Sequence, residues 1–246
     1  MKDTLKFYND FPKQGIVFVD IIPFLQDKKT FRQLVDELGK CLTAPNIAAP
    51  EARGFLFTAP LLVTDPRVEN IIPIRKSGKL PFAEGDLCEV KVEKEYGFNK
   101  LYYRISDIAA GRADDGLFHI AVIDDVLATG GTAEGIAQSL LSQKITVDGK
   151  EYGVAIDEFI FIVELDGLSG RKRLEKIAPV IFSARCDTVL RPSPTTRPPA
   201  PISHEEPFRR GEALFICRTA ASTPTAHERP HTVYIRVRSV KNRPPA

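Results

Sequence analysis

The chain of 246 residues has no long apolar run and no close pair of cysteines. Apolar segments such as 159–163 are far shorter than the ~20 residues that a membrane-spanning helix requires. The first six residues lack the apolar core of a secretion signal. Cys41, Cys88, Cys186 and Cys217 are scattered, which favours free thiols over a disulfide framework or a zinc site. We therefore expect a soluble cytoplasmic protein with no membrane partner.

Acidic and basic residues nearly balance, at 32 against 34, but they are unevenly distributed. Residues 186–246 hold ten basic and five acidic residues and ten of the nineteen prolines, which marks a boundary. Segment 191–201 can support neither a helix nor a central strand, and the β-prone segments 213–217 and 232–240 would be marginal alone. We predict a folded domain over 1–185 and a poorly ordered Pro/Arg-rich extension beyond it. Its dispersed arginines and few aromatics make nucleic acid an unexpected partner.

Short β-rich segments alternate with helical periodicity between residues 20 and 185. This pattern predicts an α/β fold with a mainly parallel, Rossmann-like sheet flanked by helices. A helical apolar stripe runs from Phe31 to Leu42. Segments 89–92 and 101–105 alternate instead, which predicts an antiparallel pair standing off the main sheet as a flap. An Asp-Gly pair at 148–149 predicts a surface hairpin. The strands predicted for the sheet are 47–49, 70–74, 119–123, 159–163 and 180–183.

Segment 121–132 places an apolar strand, two adjacent carboxylates and a glycine-paired loop in succession. Apolar residues at helical spacing begin just beyond, at Ile136, so the glycines lie at a strand-to-helix turn. Small residues let backbone N–H groups approach an anion, the helix N-terminus adds its dipole, and threonine hydroxyls can donate hydrogen bonds. We predict a phosphate loop at this turn. It consists of Ala128, Thr129, Gly130, Gly131 and Thr132.

The two carboxylates, Asp124 and Asp125, lie two residues before this loop. Turn glycines are common, so a capped strand followed by an ordinary turn is the alternative interpretation. A strand end needs no second acid, however, and the loop leads into a helix rather than back into a hairpin. At the carboxyl end of a strand, both side chains are suited to accept hydrogen bonds from sugar hydroxyls or to hold a hydrated divalent cation. The combination indicates a ribose-phosphate site.

Cations follow two other predicted strands. Arg53, directly before Gly54, follows the first strand, and Arg75, Lys76 and Lys79 follow the second. Each could be an ordinary solvated surface residue. Because the carboxyl ends of parallel strands form the ligand crevice of open α/β sheets, we expect these cations near the phosphate loop, where they suit a diphosphate.

Segment 121–132 resembles the 5-phosphoribosyl 1-diphosphate (PRPP) motif of the type I phosphoribosyltransferases. Further blocks resemble the adenine phosphoribosyltransferase branch, and the resemblance covers residues 10–183 with all six blocks in the family's order. The blocks are 10–18, 52–57, 75–81, 95–97, 122–132, and a final one made of 163–165, 168–174 and 178–180.

The resemblance implies transfer of phosphoribose from PRPP to adenine, which gives AMP and diphosphate in purine salvage. The phosphate loop would hold the 5-phosphate, and Asp124 and Asp125 would meet the ribose hydroxyls. Mg²⁺ is implied as the cofactor, held mainly by PRPP, with contact to both aspartates through water and no direct side-chain ligand. The family also implies a homodimer. The cations implied to meet the diphosphate are Arg53, Arg75, Lys76 and Lys79.

The base pocket and the flap are likewise implied by the resemblance. Val17 and Phe18 would line the purine pocket, while Glu95 and Tyr96 would lie on the flap, where Glu95 would assist proton transfer at the purine. Val19 stands where the family usually has arginine, and valine offers no hydrogen bond or stacking cation. Transfer to hypoxanthine, guanine or xanthine therefore remains an alternative. A PRPP-sensing regulatory protein without catalysis is another, although Glu95 and the cations argue for turnover.

Overall fold

A computed structural model of the chain describes residues 5–11, 17–94, 97–165, 168–182, 185–191, 212–217 and 232–238. The strands are β1 (Lys6–Asn9), β2 (Val17–Asp20), β3 (Asn46–Pro50), β4 (Asn70–Lys76), β5 (Leu87–Lys94), β6 (Gly97–Arg104), β7 (Leu117–Leu127), β8 (Ile145–Val147), β9 (Lys150–Glu164), β10 (Val180–Phe182), β11 (Arg185–Arg191), β12 (Glu212–Cys217) and β13 (Thr232–Arg238). The helices are α1 (Lys28–Cys41), α2 (Arg53–Thr64), α3 (Ile105–Ala109), α4 (Gly131–Leu141), α5 (Gly170–Leu174) and a 3₁₀ helix, Ile22–Gln26. Among these helices, none has both the length and the apolar character needed to cross a membrane.

Within the described residues, the main sheet has the strand order β10–β9–β7–β3–β4–β6–β5. The first five of these strands run parallel, and β6 and β5 add an antiparallel edge. β8 pairs with the start of β9. Helices link the parallel strands, as the short crossovers of an α/β fold require.

The core lies on both faces of this sheet, which explains why its central strands are almost continuously apolar. Phe159 and Phe161 of β9 are buried on the face covered by α3, α4 and α5. Ile160 and Ile162 are buried on the opposite face against α1 and α2. Asp27 caps α1, because its side chain accepts a hydrogen bond from the N–H of Thr30.

The predicted α/β architecture is confirmed, with every predicted strand of the sheet present over its described residues. The Asp-Gly hairpin is also confirmed: Val147 pairs with Lys150, and the two turn residues have φ values of 50° and 77°. The predicted bounds were too short at β7, which continues through Asp124 and Asp125 to Leu127.

The predicted antiparallel pair exists as β5 and β6, but it does not stand off the main sheet. Arg75 pairs with Tyr102 and Lys76 pairs with Leu101, so β6 extends the edge formed by β4. Arg75 and Lys76 are accordingly the last residues of a strand, where they had been expected just after it.

Three strands lie among the described residues from position 185 onward. β11, β13 and β12 form an antiparallel sheet in that order, a pairing that the sequence had not indicated. The two β-prone segments are therefore strands over their described residues, and the third strand of this sheet is residues 185–191. Segment 192–211, with most of the prolines that predicted poor order, lies outside the described residues.

Candidate active site

The carboxyl ends of three adjacent parallel strands bring the predicted site segments together. β3 pairs with β4 on one side and with β7 on the other. Arg53 begins the helix after β3, Lys79 follows β4, and the phosphate loop follows β7. The prediction that these segments share one edge of the sheet is therefore confirmed.

The two adjacent carboxylates occupy the end of β7. Asp125 is 2% exposed, and Asp124 accepts a hydrogen bond from the Asp125 N–H at 2.9 Å. Burial raises the pKa of Asp124 well above its usual range, and the charge of Asp125 adds to the effect. Burial also raises the pKa of Asp125, although the nearby Arg53 opposes this. A group that donates hydrogen bonds to these oxygens would relieve the cost of keeping both charges buried.

Arg53 lies between Asp125 and strand β2, where it approaches Phe18 and Val19. Its Nε lies 2.9 Å from Asp125 Oδ2, an ion-pair contact that lacks hydrogen-bond geometry. Within the described part of the chain, Oδ2 is thus a buried oxygen that accepts no hydrogen bond. The guanidinium also lies 5.4 Å from the centre of the Phe18 ring, and Nη1 lies 3.5 Å from the Val19 carbonyl oxygen. Arg53 therefore connects the acidic pair with β2.

The phosphate loop is the turn between β7 and α4, as its sequence predicts. Gly130 has φ = 77°, a left-handed conformation that glycine adopts without a steric penalty, and α4 begins at the next residue. No side chain of the described residues caps this helix. The N–H groups of its first turn have no partner within the helix, so they are available to an anion.

Gly170, at the start of α5, packs against the back of the loop. A Cβ atom at this position would lie 2.2 Å from the Ala128 carbonyl oxygen and 3.1 Å from the Gly130 nitrogen. Sequence reasoning missed this residue, because nothing in the local pattern of 168–174 identifies the loop that it contacts.

Two of the cations at and after the end of β4 contact a carboxylate that had been assigned no role. Glu51, directly after β3, has a side chain that is 6% exposed, and its Oε2 lies 2.6 Å from Arg75 Nε. Lys79 Nζ lies 3.7 Å from its other oxygen, whereas Lys76 is exposed. Burial raises the pKa of Glu51, but the Arg75 hydrogen bond, the Lys76 N–H and the Lys79 charge together lower it. Arg75, Lys76 and Lys79 carry three positive charges against the one carboxylate of Glu51, which leaves a net positive charge for an anionic ligand.

The segment predicted to line the base pocket is β2, which contains Val17 and Phe18. The Phe18 ring is partly buried and meets Phe11 edge-on at 5.2 Å. Val19 is 3% exposed and packs in the core on the α1 and α2 side of the sheet. The side chain of Val17 is outside what the structure describes. In β2 the side chain at position 19 is thus directed into the core.

The two flap residues, Glu95 and Tyr96, lie outside the described residues. The strands on either side are present, with Lys94 paired to Gly97. Helix α4 supports this hairpin: Tyr103 of β6 is fully buried, and its hydroxyl lies 3.0 Å from Ser139 Oγ. Among the described residues there is no group of three or more His, Cys, Asp or Glu side chains placed to bind a metal ion.

Comparisons with known proteins point to one family. No protein-family model matches the chain. Adenine phosphoribosyltransferase from Caldanaerobacter subterraneus is 36% identical over 178 residues, which cover 71% of this chain and 91% of that protein. The same enzyme from Maridesulfovibrio salexigens is 38% identical over 181 residues, or 72% of this chain and 94% of that protein.

Solved structures similar to this chain belong to the same family. Adenine phosphoribosyltransferase from Thermoanaerobacter pseudethanolicus superposes with a TM-score of 0.59 at 36% identity, covering 74% of this chain and 96% of its own. The Saccharomyces cerevisiae enzyme, complexed with an imino-altritol bisphosphate and adenine, gives a TM-score of 0.58 at 30% identity and covers 74% and 94%.

Proposed function

This chain belongs to the adenine phosphoribosyltransferase family, and from the geometry of its site we propose that it transfers phosphoribose from PRPP to adenine in a Mg²⁺-dependent reaction. The products are AMP and diphosphate. The observation that carries the proposal is the pair of aspartates near the end of β7, two residues before a phosphate loop that opens a helix.

The acidic pair would bind the ribose. Asp125 Oδ2 is buried and accepts no hydrogen bond from the described residues, so a ribose hydroxyl has an acceptor there. The 5-phosphate would accept hydrogen bonds from the N–H groups of Gly131 and Thr132 and from the hydroxyls of Thr129 and Thr132. Both ends of ribose 5-phosphate are thereby held by a single strand-to-helix turn.

The diphosphate would lie against the patch formed by Arg75, Lys76 and Lys79. Glu51 holds Arg75 in place by the 2.6 Å contact and reduces the net charge of the patch. Asp124 and Asp125 suit the water shell of a Mg²⁺ ion held by PRPP, since their carboxylates can accept hydrogen bonds from its water molecules and Asp125 Oδ2 accepts none from the described residues. The ion would neutralise the charge that develops on the diphosphate. Arg53 would support the diphosphate only after turning away from Phe18.

The chemistry is a substitution at the anomeric carbon of PRPP. The purine N9 forms a bond to that carbon, the bond to the diphosphate oxygen breaks, and its electron pair leaves with the diphosphate. Glu95 would accept the proton lost from the purine, and Tyr96 would help the flap exclude water. The cations near the leaving group stabilise the charge that it gains.

Adenine is the proposed base, supported by the yeast relative that was solved with adenine. Val17 and Phe18 would contact the purine. Val19 packs in the core, so it supplies no polar contact, whereas the Arg53 guanidinium over Phe18 places a cation beside this pocket. Hypoxanthine, guanine or xanthine is the alternative base.

Assembly and location follow the same proposal. We place the enzyme in the cytoplasm as a homodimer, with residues 1–185 as the catalytic domain and 186–246 as an appendage. The exposed apolar residues Leu62 and Val63 on α2 suit a contact between two copies. Light scattering tests the dimer, and a chain truncated after residue 185 tests the appendage, since it should keep its fold and activity.

Diphosphate release tests the activity itself. The protein is incubated with PRPP, Mg²⁺ and each of the four bases, and adenine should react fastest. Asp124→Asn combined with Asp125→Asn should lower kcat/KM by roughly 100-fold or more while the fold persists. A matched control is Asp114→Asn with Asp115→Asn, an adjacent acidic pair that precedes the same strand at its opposite end. Tight PRPP binding without turnover on any base would favour the regulatory alternative.

A further inference from the structure

An ion pair lies next to the phosphate loop and includes none of the residues proposed to touch substrate. Glu164 is the last residue of β9, and its side chain is 6% exposed. Arg171 of α5 donates from Nε to Glu164 Oε1 at 3.0 Å and from Nη2 to Oε2 at 2.9 Å. This forked contact fixes the orientation of the guanidinium more strictly than one hydrogen bond could.

Arg171 joins further elements through its remaining contacts. Its Nη1 donates to the Val180 carbonyl oxygen at 3.1 Å and to Glu175 at 3.3 Å. The guanidinium also lies 4.3 Å from the centre of the Phe182 ring. One side chain thus ties α5 to the end of β9 and to β10.

The residue directly before Arg171 is Gly170, which contacts the loop. The spacing is close, since a Cβ on Gly130 would lie 3.1 Å from the Gly170 carbonyl oxygen. Strand pairing holds the start of the loop, because Leu127 is paired with Glu164 and accepts a hydrogen bond from the Leu165 N–H at 2.8 Å. Glu164 therefore supports the loop along two routes, one through the strand and one through Arg171.

We propose that Glu164 and Arg171 are positioning residues for the reaction. They touch no substrate, but they hold Gly170 against the loop and so fix the N–H groups that receive the 5-phosphate. This inference rests on the proposed function, because it assigns a role within the same site. A loop displaced by a fraction of an ångström loses its alignment with the phosphate, whereas the diphosphate and base contacts are carried by other strands.

Substitutions at this ion pair should weaken binding of ligands that carry the 5-phosphate and leave binding of the other ligands nearly unchanged. Arg171→Met keeps an apolar stem over Phe182 but removes the fork, and Glu164→Gln keeps the shape but removes the charge. In both variants we expect the Kd for PRPP and for ribose 5-phosphate to rise about 10-fold or more. The Kd for inorganic diphosphate and the KM for adenine should change less than about 2-fold, and Arg171→Lys should recover part of the loss. Glu175→Gln is the matched control, since it removes only the exposed outer partner of Arg171.

Calorimetric titrations well below the melting temperature of each variant separate this role from general stability. The proposal is overturned if Arg171→Met or Glu164→Gln binds ribose 5-phosphate as wild type does. It is also overturned if the affinities for all ligands weaken together, or if Glu175→Gln has the same effect. Should Arg171→Met fail to fold, Glu164→Gln decides. Failure of the wild-type protein to bind PRPP would refute the proposed function, a result distinct from any of these.

Discussion

Gly170→Ala should displace the phosphate loop by inserting one methyl group. The added Cβ would lie 2.2 Å from the Ala128 carbonyl oxygen and 2.9 Å from Leu127 Cδ1. The first of these atoms is backbone, so no change of rotamer can make room. Either the loop or the start of α5 must move.

The size of the effect follows from this distance. An ordinary carbon–oxygen contact would require the two atoms to separate by roughly 1 Å, because van der Waals contacts lie near 3.5 Å and neighbours can yield by a few tenths. A misplacement of this size can lower a rate constant by about 100-fold, which corresponds to about 2.7 kcal/mol. Overpacking of this kind should also lower the free energy of unfolding by roughly 1–3 kcal/mol.

Steady-state kinetics with PRPP varied at saturating adenine, together with urea denaturation, measures both quantities. Gly153→Ala is the matched control, since its Cβ meets only Leu117 Cδ2, at 2.9 Å, and the end of that side chain can move. We expect kcat/KM for PRPP to fall in Gly170→Ala and to stay near wild type in Gly153→Ala. A folded Gly170→Ala variant with wild-type kcat/KM would refute the reasoning.

Three further predictions concern stability. Asp124→Asn should lower activity yet raise the free energy of unfolding by about 1 kcal/mol at pH 7. Burial raises the pKa of Asp124, so ionising this side chain destabilises the folded protein only as pH rises above the unfolded value of 3.8. Urea titrations should therefore show the gain in stability at pH 7 but not at pH 4. The pKa of His119 is raised above 6.5, first by its hydrogen bond to Asp157 and against the effect of burial, with Asp115 adding to the rise. The stabilisation that protonated His119 contributes is therefore complete below pH 6.5 and is lost as pH rises through the folded-state pKa. His119→Gln should lower the free energy of unfolding by on the order of 1 kcal/mol at pH 6 and by less at pH 8. Equal losses at both pH values would contradict this. Ile136→Ala, at a fully buried position of α4, should lower the free energy of unfolding by about 2–5 kcal/mol in the same assay, and a loss below 1 kcal/mol would contradict its placement in the core.

The chemistry of one strand-to-helix turn was readable from the chain because all its parts are local. Asp124, Asp125 and the loop up to Thr132 lie within nine consecutive residues, and short-range rules specify a strand, a turn and a helix start there. The shared edge of the sheet was also predictable, since it follows from the alternation of strands and helices. The family resemblance was also readable from the sequence, because it rests on the order of six sequence blocks along the chain.

Tertiary structure alone decided which side chains meet across these segments. Arg53, whose role beside the diphosphate stays a prediction, contacts Asp125 and Phe18, because the start of α2 packs on the sheet face that β2 covers. The predicted flap pair joins the edge of β4, because strand pairing satisfies backbone groups that a detached hairpin would leave open to water. Contacts between Gly170 and a loop some forty residues earlier depend on how β9 and α5 pack beside β7. Sequence determined the chemistry of each segment through local conformation, while the distances between segments depend on packing that no short stretch of chain encodes.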